Sequence, residues 1–257
     1  MRPTIIMVHG AFCGGWALEI LARPLEAEGY KVLRPDLPGH APHDPPGAVA
    51  GLSMSDYVAE IVRLCRSEAQ PPVLVGHSLG GLVAMLAASR TPVRALALLA
   101  PSAPWGVPVA SLEEAVSAFG VQLMGPFWTG AIEPDPGLMR IYGLDKAAPE
   151  VRDAALGKLR HESGRALGQT LNWWMDPFMS TSLGAGPFRT PALAVVGDRD
   201  KIHAPASVKL TAKRLGAEFV VLPGMGHWLV VEPGAPAIAE GILAWLETVS
   251  QASSEPA

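Results

Sequence analysis

The residues with the clearest chemical potential are Gly76-His77-Ser78-Leu79-Gly80, followed by Gly81. As a bare G-x-S-x-G pattern they would mean little. Their setting adds the weight: Val73 to Val75 before them reads as a buried strand, and the apolar stretch after them as a helix. A serine on such a strand–turn–helix join is forced into a strained backbone, which small residues two positions away on each side permit. Its hydroxyl is then held clear of the sheet, at a helix N-terminus that favours developing negative charge. Such a hydroxyl becomes a useful nucleophile only with a base in hydrogen-bonding reach and an acid to orient that base.

Of seven histidines, His227 is the expected base. It sits in Pro223-Gly224-Met225-Gly226-His227-Trp228, read as a mobile glycine-rich loop after the last apolar run. That puts it at the same C-terminal strand edge as Ser78, where α/β sheets place their sites. His40, His43 and His161 are expected to be solvated, and His77 to point away from the neighbouring serine. His203 follows a strand and could border a site. The acid should come from the same edge, and Val195-Val196-Gly197-Asp198-Arg199-Asp200 offers two. Asp200 lies further into the loop, with more freedom to reach a histidine. Asp198 could instead pair with Arg199 or cap the following turn.

These side chains need a scaffold whose strands all end at one edge. Short continuous apolar runs predict strands over 5–8, 31–34, 72–75, 94–100, 192–196 and 218–222. Amphipathic spacing predicts helices over 15–28, 53–67, 79–89, about 206–215 and 236–249 between and after them. Strands joined through helices imply an α/β fold, a parallel sheet covered on both faces. Residues 101–188 break the alternation. They hold Trp105, Trp128, Trp173 and Trp174, four of the seven tryptophans, and look helical over 112–119 and 149–171. Long structureless loops are rare in compact domains, so this interval reads as a helical cap or lid over one end of the sheet, with ordinary core helices as the plainer alternative. The expected division is a core of 1–100 and 189–250, a cap of 101–188 and a flexible tail of 251–257.

Composition bounds the rest. The 257 residues are 49% hydrophobic and only 17% charged, with a net charge of −4 and no basic run, which argues against disorder and against a nucleic-acid surface. The low charged fraction permits an apolar dimer patch and leaves the oligomeric state open. The two cysteines, Cys13 and Cys65, make neither a disulfide framework nor a metal cluster, so no metal or cofactor is expected. No stretch approaches a membrane span and the N-terminal apolar run is too short for a signal peptide, so the expected location is cytoplasmic.

The order Ser78, Asp200, His227 is that of the α/β-hydrolase fold. Together with Val8-His9-Gly10-Ala11 and the following Trp16, it makes the chain similar to serine esterases of the α/β-hydrolase superfamily over nearly its whole length, particularly the small esterase/haloperoxidase-like and plant methylesterase-like members. The resemblance implies an oxyanion hole from the backbone N–H groups of Ala11 and Leu79, with Phe12 projecting toward the acyl pocket. It also implies a reduced sheet of about six mostly parallel strands, because the chain begins at what resembles the family's third. Asp36-Leu37-Pro38-Gly39-His40-Ala41 resembles a family D-x-P-G-x-G stretch, with Ala41 where glycine is usual. Related dehalogenases and epoxide hydrolases attack with aspartate, and hydroxynitrile lyases carry lysine after the histidine, where this chain has Trp228.

The expected reaction is therefore hydrolysis of a carboxylic ester, thioester or lactone through an acyl-enzyme. The expected substrate is a small molecule with an apolar acyl or aromatic group. Trp105, Trp128, Trp173, Trp174 and Trp228 are candidate pocket walls, or else the packing core of the lid. Carbon–carbon cleavage, perhydrolysis and cofactor-free oxygenation on the same residues remain alternatives, as does a small-molecule receptor or signalling role.

Overall fold

The computed structural model describes residues 2–123, 125, 128–184 and 186–252. Its strands are β1 (Ile5–Val8), β2 (Val32–Leu33), β3 (Val73–His77), β4 (Ala95–Leu99), β5 (Ala131–Ile132), β6 (Glu162–Ser163), β7 (Ala192–Gly197) and β8 (Glu218–Leu222). Six of them form one sheet in the order β2-β1-β3-β4-β7-β8, with every neighbouring pair parallel. β5 and β6 form a separate antiparallel pair.

The period-two alternation of strand side chains explains why the strands are apolar throughout. Ile5, Met7, Val73, Val75, Leu193 and Val195 point to one face, against α1 (Glu19–Ala27) and α9 (Ala235–Ala252). Ile6, Val8, Leu74, Leu96, Leu98 and Val196 point to the other, against α2 (Met54–Ser67), α3 (Leu79–Ala88) and α8 (Pro205–Leu215). Ser53 and Asp56 form a capping box that fixes where α2 begins. Residues Leu79 to Ala87 are buried all round, as an apolar helix without a polar face must be. The helix behind Ser78 is therefore among the most deeply packed elements.

From β1 the chain goes out to β2, then crosses back to β3 on the other side of β1. That reversal is the topological switch point, where loops diverge and leave a crevice. The loops after β1 and β3, which carry Ala11 and Ser78, flank it.

Between β4 and β7 lie α4 (Leu112–Gln122), α5 (Pro136–Leu138) running into a π-helical turn over Met139–Gly143, α6 (Pro149–Leu156), and α7 (Gly164–Leu171). The continuous helix expected over 149–171 is three pieces: α6 ends at Leu156, β6 pairs with β5, and α7 follows at once. The break has a physical cause, because Glu162 turns its carboxylate into the core, which a solvated helix would not allow. The helix expected over 15–28 begins as a 3₁₀ turn, Gly15–Leu18, and α1 follows, with Pro24 inside it lacking an N–H to donate. The second strand shrinks to two residues at the sheet edge. The last helix runs on to Ala252, so positions 251 and 252 of the expected tail are helical, and 253–257 lie outside the described residues. Among the described residues no helix is long and apolar enough to cross a membrane.

Candidate active site

Ser78 is the first component. It takes φ 52° and ψ −122°, a left-handed conformation unusual for any residue with a Cβ. Its neighbours explain why the turn can be so tight. A Cβ on Gly76 would stand 2.5 Å from the Gly80 carbonyl oxygen, and one on Gly80 would stand 2.2 Å from the His9 carbonyl oxygen. Both glycines are needed for backbone approach, as the motif implies. The bend is locked by Ser78 N–H donating to Leu99 O (3.0 Å) and Ser102 N–H donating to Ser78 O (3.0 Å).

His227 and Asp200 converge on that serine. Ser78 Oγ lies 2.9 Å from His227 Nε2, and His227 Nδ1 lies 3.0 Å from Asp200 Oδ2. The Asp200 carboxylate fixes the ring proton on Nδ1, leaving Nε2 free to accept from the serine hydroxyl. Asp200 Oδ1 accepts from the amides of Ile202 and His203, both at 2.8 Å. Burial pushes the Asp200 carboxyl upward, but the His227 charge and hydrogen bond outweigh it and hold the pKa below the usual carboxylate value. All three side chains are buried. Asp198 takes one of its alternative roles, pairing with Arg199 at 3.8 Å, and its carboxylate also accepts from Gly224 N–H at 2.7 Å in the turn after β8.

The His227 loop is pinned rather than mobile. His77 Nε2 donates to His227 O (2.9 Å), Arg199 N–H to Met225 O (2.9 Å), and Gly226 N–H to Glu232 Oε2 (2.8 Å). His77 thus faces the base's backbone and not Ser78. Burial and the His227 ring beside it lower its pKa to about 3, so it stays neutral. Burial, together with Asp145 and Asp200, pushes the Glu232 carboxyl up to about 7.

The loop after β1 brings Ala11, one of the two expected oxyanion donors, to the cavity that Leu79 also lines. Leu79 is the first residue of α3, so its N–H has no partner within the helix, and Ala11 lines the same cavity across the switch point. Phe12 beside it has φ 62° and is held at both ends by residues from between β4 and β7. Its N–H donates to Glu162 Oε2 at 3.3 Å, and its carbonyl accepts from Arg160 N–H at 2.8 Å. Glu162 also accepts from Tyr57 Oη (2.6 Å) and pairs with His40 Nε2 (3.2 Å). His40 is therefore buried and paired, not solvated. Burial works against both charges, yet their attraction prevails: the His40 pKa is raised and the Glu162 pKa lowered. His43 stays exposed, as expected. At position 41, where glycine is usual, the Ala41 amide donates to Asp44 Oδ2 (3.0 Å), which closes that turn.

A cavity of about 90 Å³ opens over Ser78, bordered by Phe12, Leu167, Leu171 and Trp228. Trp228 and Phe12 are on its wall as anticipated, but Trp105, Trp128 and Trp174 are not. Trp128 packs its ring on Gly168, and Trp105, Trp173 and Trp174 stack edge-to-face on one another, with Trp174 reaching solvent. Trp173 borders an adjoining compartment of about 70 Å³. Larger hollows, of about 490 Å³ beside Arg214 and about 330 Å³ beside α9, are lined by none of Ser78, Asp200 and His227. Sequence reasoning missed Glu162, Ser102 and Glu114 altogether. Each sits where a polar residue reads as loop or helix surface, and no local spacing marks it as buried.

The sequence pattern of the alpha/beta hydrolase family matches residues 5–239. A pyrethroid hydrolase of Sphingobium wenxiniae is 45% identical over 80 residues, 30% of this chain and 27% of that one. A pimeloyl-[acyl-carrier protein] methyl ester esterase of Stenotrophomonas maltophilia is 29% identical over 241 residues, 88% of this chain and 86% of its own. A methylesterase from Arabidopsis superposes with a TM-score of 0.73 at 18% identity, over 96% of this chain and 100% of its own. The chain belongs to the alpha/beta hydrolase family.

Proposed function

We propose that the protein hydrolyses a carboxylic ester carrying a compact apolar acyl or aromatic group, through an acyl-enzyme on Ser78. The observation that carries this reading is the unbroken chain Ser78 Oγ–His227 Nε2 at 2.9 Å and His227 Nδ1–Asp200 Oδ2 at 3.0 Å, at the floor of an apolar cavity. His227 accepts the Ser78 proton as the hydroxyl attacks the carbonyl carbon. The tetrahedral oxyanion is held by the amides of Ala11 and Leu79, donors worth about 2.7–4 kcal/mol each in such sites. His227 then protonates the leaving alcohol, and water activated by the same ring releases the acid. Asp200 stays ionised throughout and holds the ring in the tautomer that accepts the serine proton.

Residues 101–188 act as the lid, and the cavity is small enough to favour a short or flat group over a long chain. Two buried free thiols, Cys13 and Cys65, fit a reducing cytoplasm. The test is labelling with a fluorophosphonate, followed by an acyl-length series of nitrophenyl esters. Labelling that Ser78→Ala abolishes, with turnover peaking at short or aromatic acyl groups, is expected. Labelling with no turnover of any ester would move the chemistry elsewhere on this scaffold, and no labelling would remove Ser78 as nucleophile.

A further inference from the structure

One corner of the cavity over Ser78 is polar, although most of its wall is apolar. Ser102, after β4, and His203, after β7, border both this cavity and the adjoining compartment, where Glu114 of α4 joins them. All three are buried. Ser102 Oγ lies 3.0 Å from His203 Nε2, and His203 Nδ1 lies 3.8 Å from Glu114 Oε1. Glu114 is itself fixed, because its Oε2 accepts from Ala110 N–H (3.2 Å) and from the Ser207 hydroxyl. The ring of His203 meets that of His227 edge-on at 5.1 Å, which places the group beside the reacting centre.

The direction of the Ser102–His203 hydrogen bond follows from the charge nearest the ring. The Glu114 carboxylate, 3.8 Å from Nδ1 and so in electrostatic rather than hydrogen-bonding contact, favours the ring proton on that nitrogen, which makes Nε2 the acceptor. The Ser102 hydroxyl must then spend its one proton on Nε2. What remains on Ser102 Oγ is acceptor capacity, at the border of the cavity. Ser102 is no second nucleophile: residues 101–104 are coil, with no helix N-terminus behind them to hold an oxyanion.

We propose that Ser102, oriented by His203 and Glu114, is a specificity site for a substrate hydroxyl. The preferred ester would carry an O–H that donates to Ser102 Oγ from close to the scissile carbonyl. A buried acceptor left without a donor penalises the unsubstituted analogue, whereas an apolar wall could not tell the two apart. The proposal rests on the hydrolase reading above and names the substrate class of that same site.

The test uses matched nitrogen-free esters in two trios, with a hydroxyl, methoxy or hydrogen substituent on the acyl half in one and on the alcohol half in the other. The ratio of kcat/KM within a trio is read for each protein, so overall activity cancels. Wild type should prefer the hydroxy ester over both analogues by about three- to tenfold in one trio, which identifies the half that faces Ser102. Ser102→Ala and His203→Phe should bring that ratio to near one, with fluorophosphonate labelling at Ser78 checking that each variant is folded. Equal rates across both trios, a preference for methoxy, or a preference that Ser102→Ala retains would each overturn the proposal while hydrolysis itself stands. Absence of both labelling and turnover would instead bring down the hydrolase reading, and this inference with it.

Discussion

The strand-end loops and the segment between β4 and β7 build the site by different means. In the loops, sequence neighbours set the local geometry: Gly76 and Gly80 shape the turn at Ser78, and Asp200 is bonded by the amides of Ile202 and His203, with contacts between strand ends, such as His77 to His227, added to them. In the intervening segment the important contacts span long distances along the chain, as when Glu162 reaches Tyr57, His40 and Phe12. Local constraint leaves a motif. Long-range constraint leaves a single residue that looks like any other.

The contrast can be broken most severely at the nucleophile. Ser78→Ala should lower kcat by about 10⁴-fold or more and abolish fluorophosphonate labelling, with the melting temperature little changed. Retained labelling in that variant would remove the strand-end loops as the centre of the chemistry. Next comes Gly76→Ala, whose Cβ would press on the Gly80 carbonyl and the Gly81 Cα, backbone atoms with nowhere to go. A loss of about 3 kcal/mol or more in urea denaturation is expected. Gly168→Ala meets first the Trp128 ring at 2.8 Å, a side chain rather than backbone, and should cost less.

Glu162→Gln sharpens the comparison from the other side. It leaves His40 without its carboxylate and weakens the hold on Phe12, so stability should fall by about 3 kcal/mol. If the segment also positions the oxyanion loop, kcat should drop about tenfold while KM moves little. An unchanged kcat in the folded variant would reduce Glu162 to a structural tie.

Legibility follows the same division. All six strands of the sheet and the Ser78, Asp200 and His227 triplet could be read from apolar runs and glycine spacing, because those patterns act over a few residues. The break at Glu162 could not, since an amphipathic stretch looks helical until something remote pulls one carboxylate inward. The tryptophans stayed ambiguous for a related reason: an aromatic residue packs equally well on Gly168, as Trp128 does, or on a ligand.

Smaller effects come from buried neutral histidines and from the outer tryptophans. Burial lowers His77 to about 3, with His227 beside it, and His9 to about 4, with His40 beside it. Below their ordinary value of about 6.5 the unfolded chain takes up protons that the native one refuses, so their stability contribution is full above about 6.5 and lost as pH falls toward 4. Each contributes a slope of about 1.4 kcal/mol per pH unit in that window. Glu232, raised to about 7, acts the opposite way: its contribution is present below about 4.5 and lost as pH rises through 7. Urea midpoints should therefore climb less steeply from pH 4.5 to 6.5 in wild type than in Glu232→Gln. Smallest of all, Trp174→Ala should leave kcat/KM within about twofold and stability within about 0.5 kcal/mol, since Trp174 is 60% exposed and off the cavity. Trp228→Ala, on the cavity wall, should change acyl-length preference.

The double hold on Phe12 has a consequence for anyone who would exchange modules in this family. Residues 160 and 162 fix both the amide and the carbonyl of the residue next to Ala11, the proposed oxyanion donor. A chimaera that grafts a foreign segment between β4 and β7 removes both of those holds on the loop after β1. Recombination at those boundaries would preserve Ser78, His227 and Asp200 and still misplace the loop that carries the proposed oxyanion donor, unless the graft carries its own counterparts of Arg160 and Glu162.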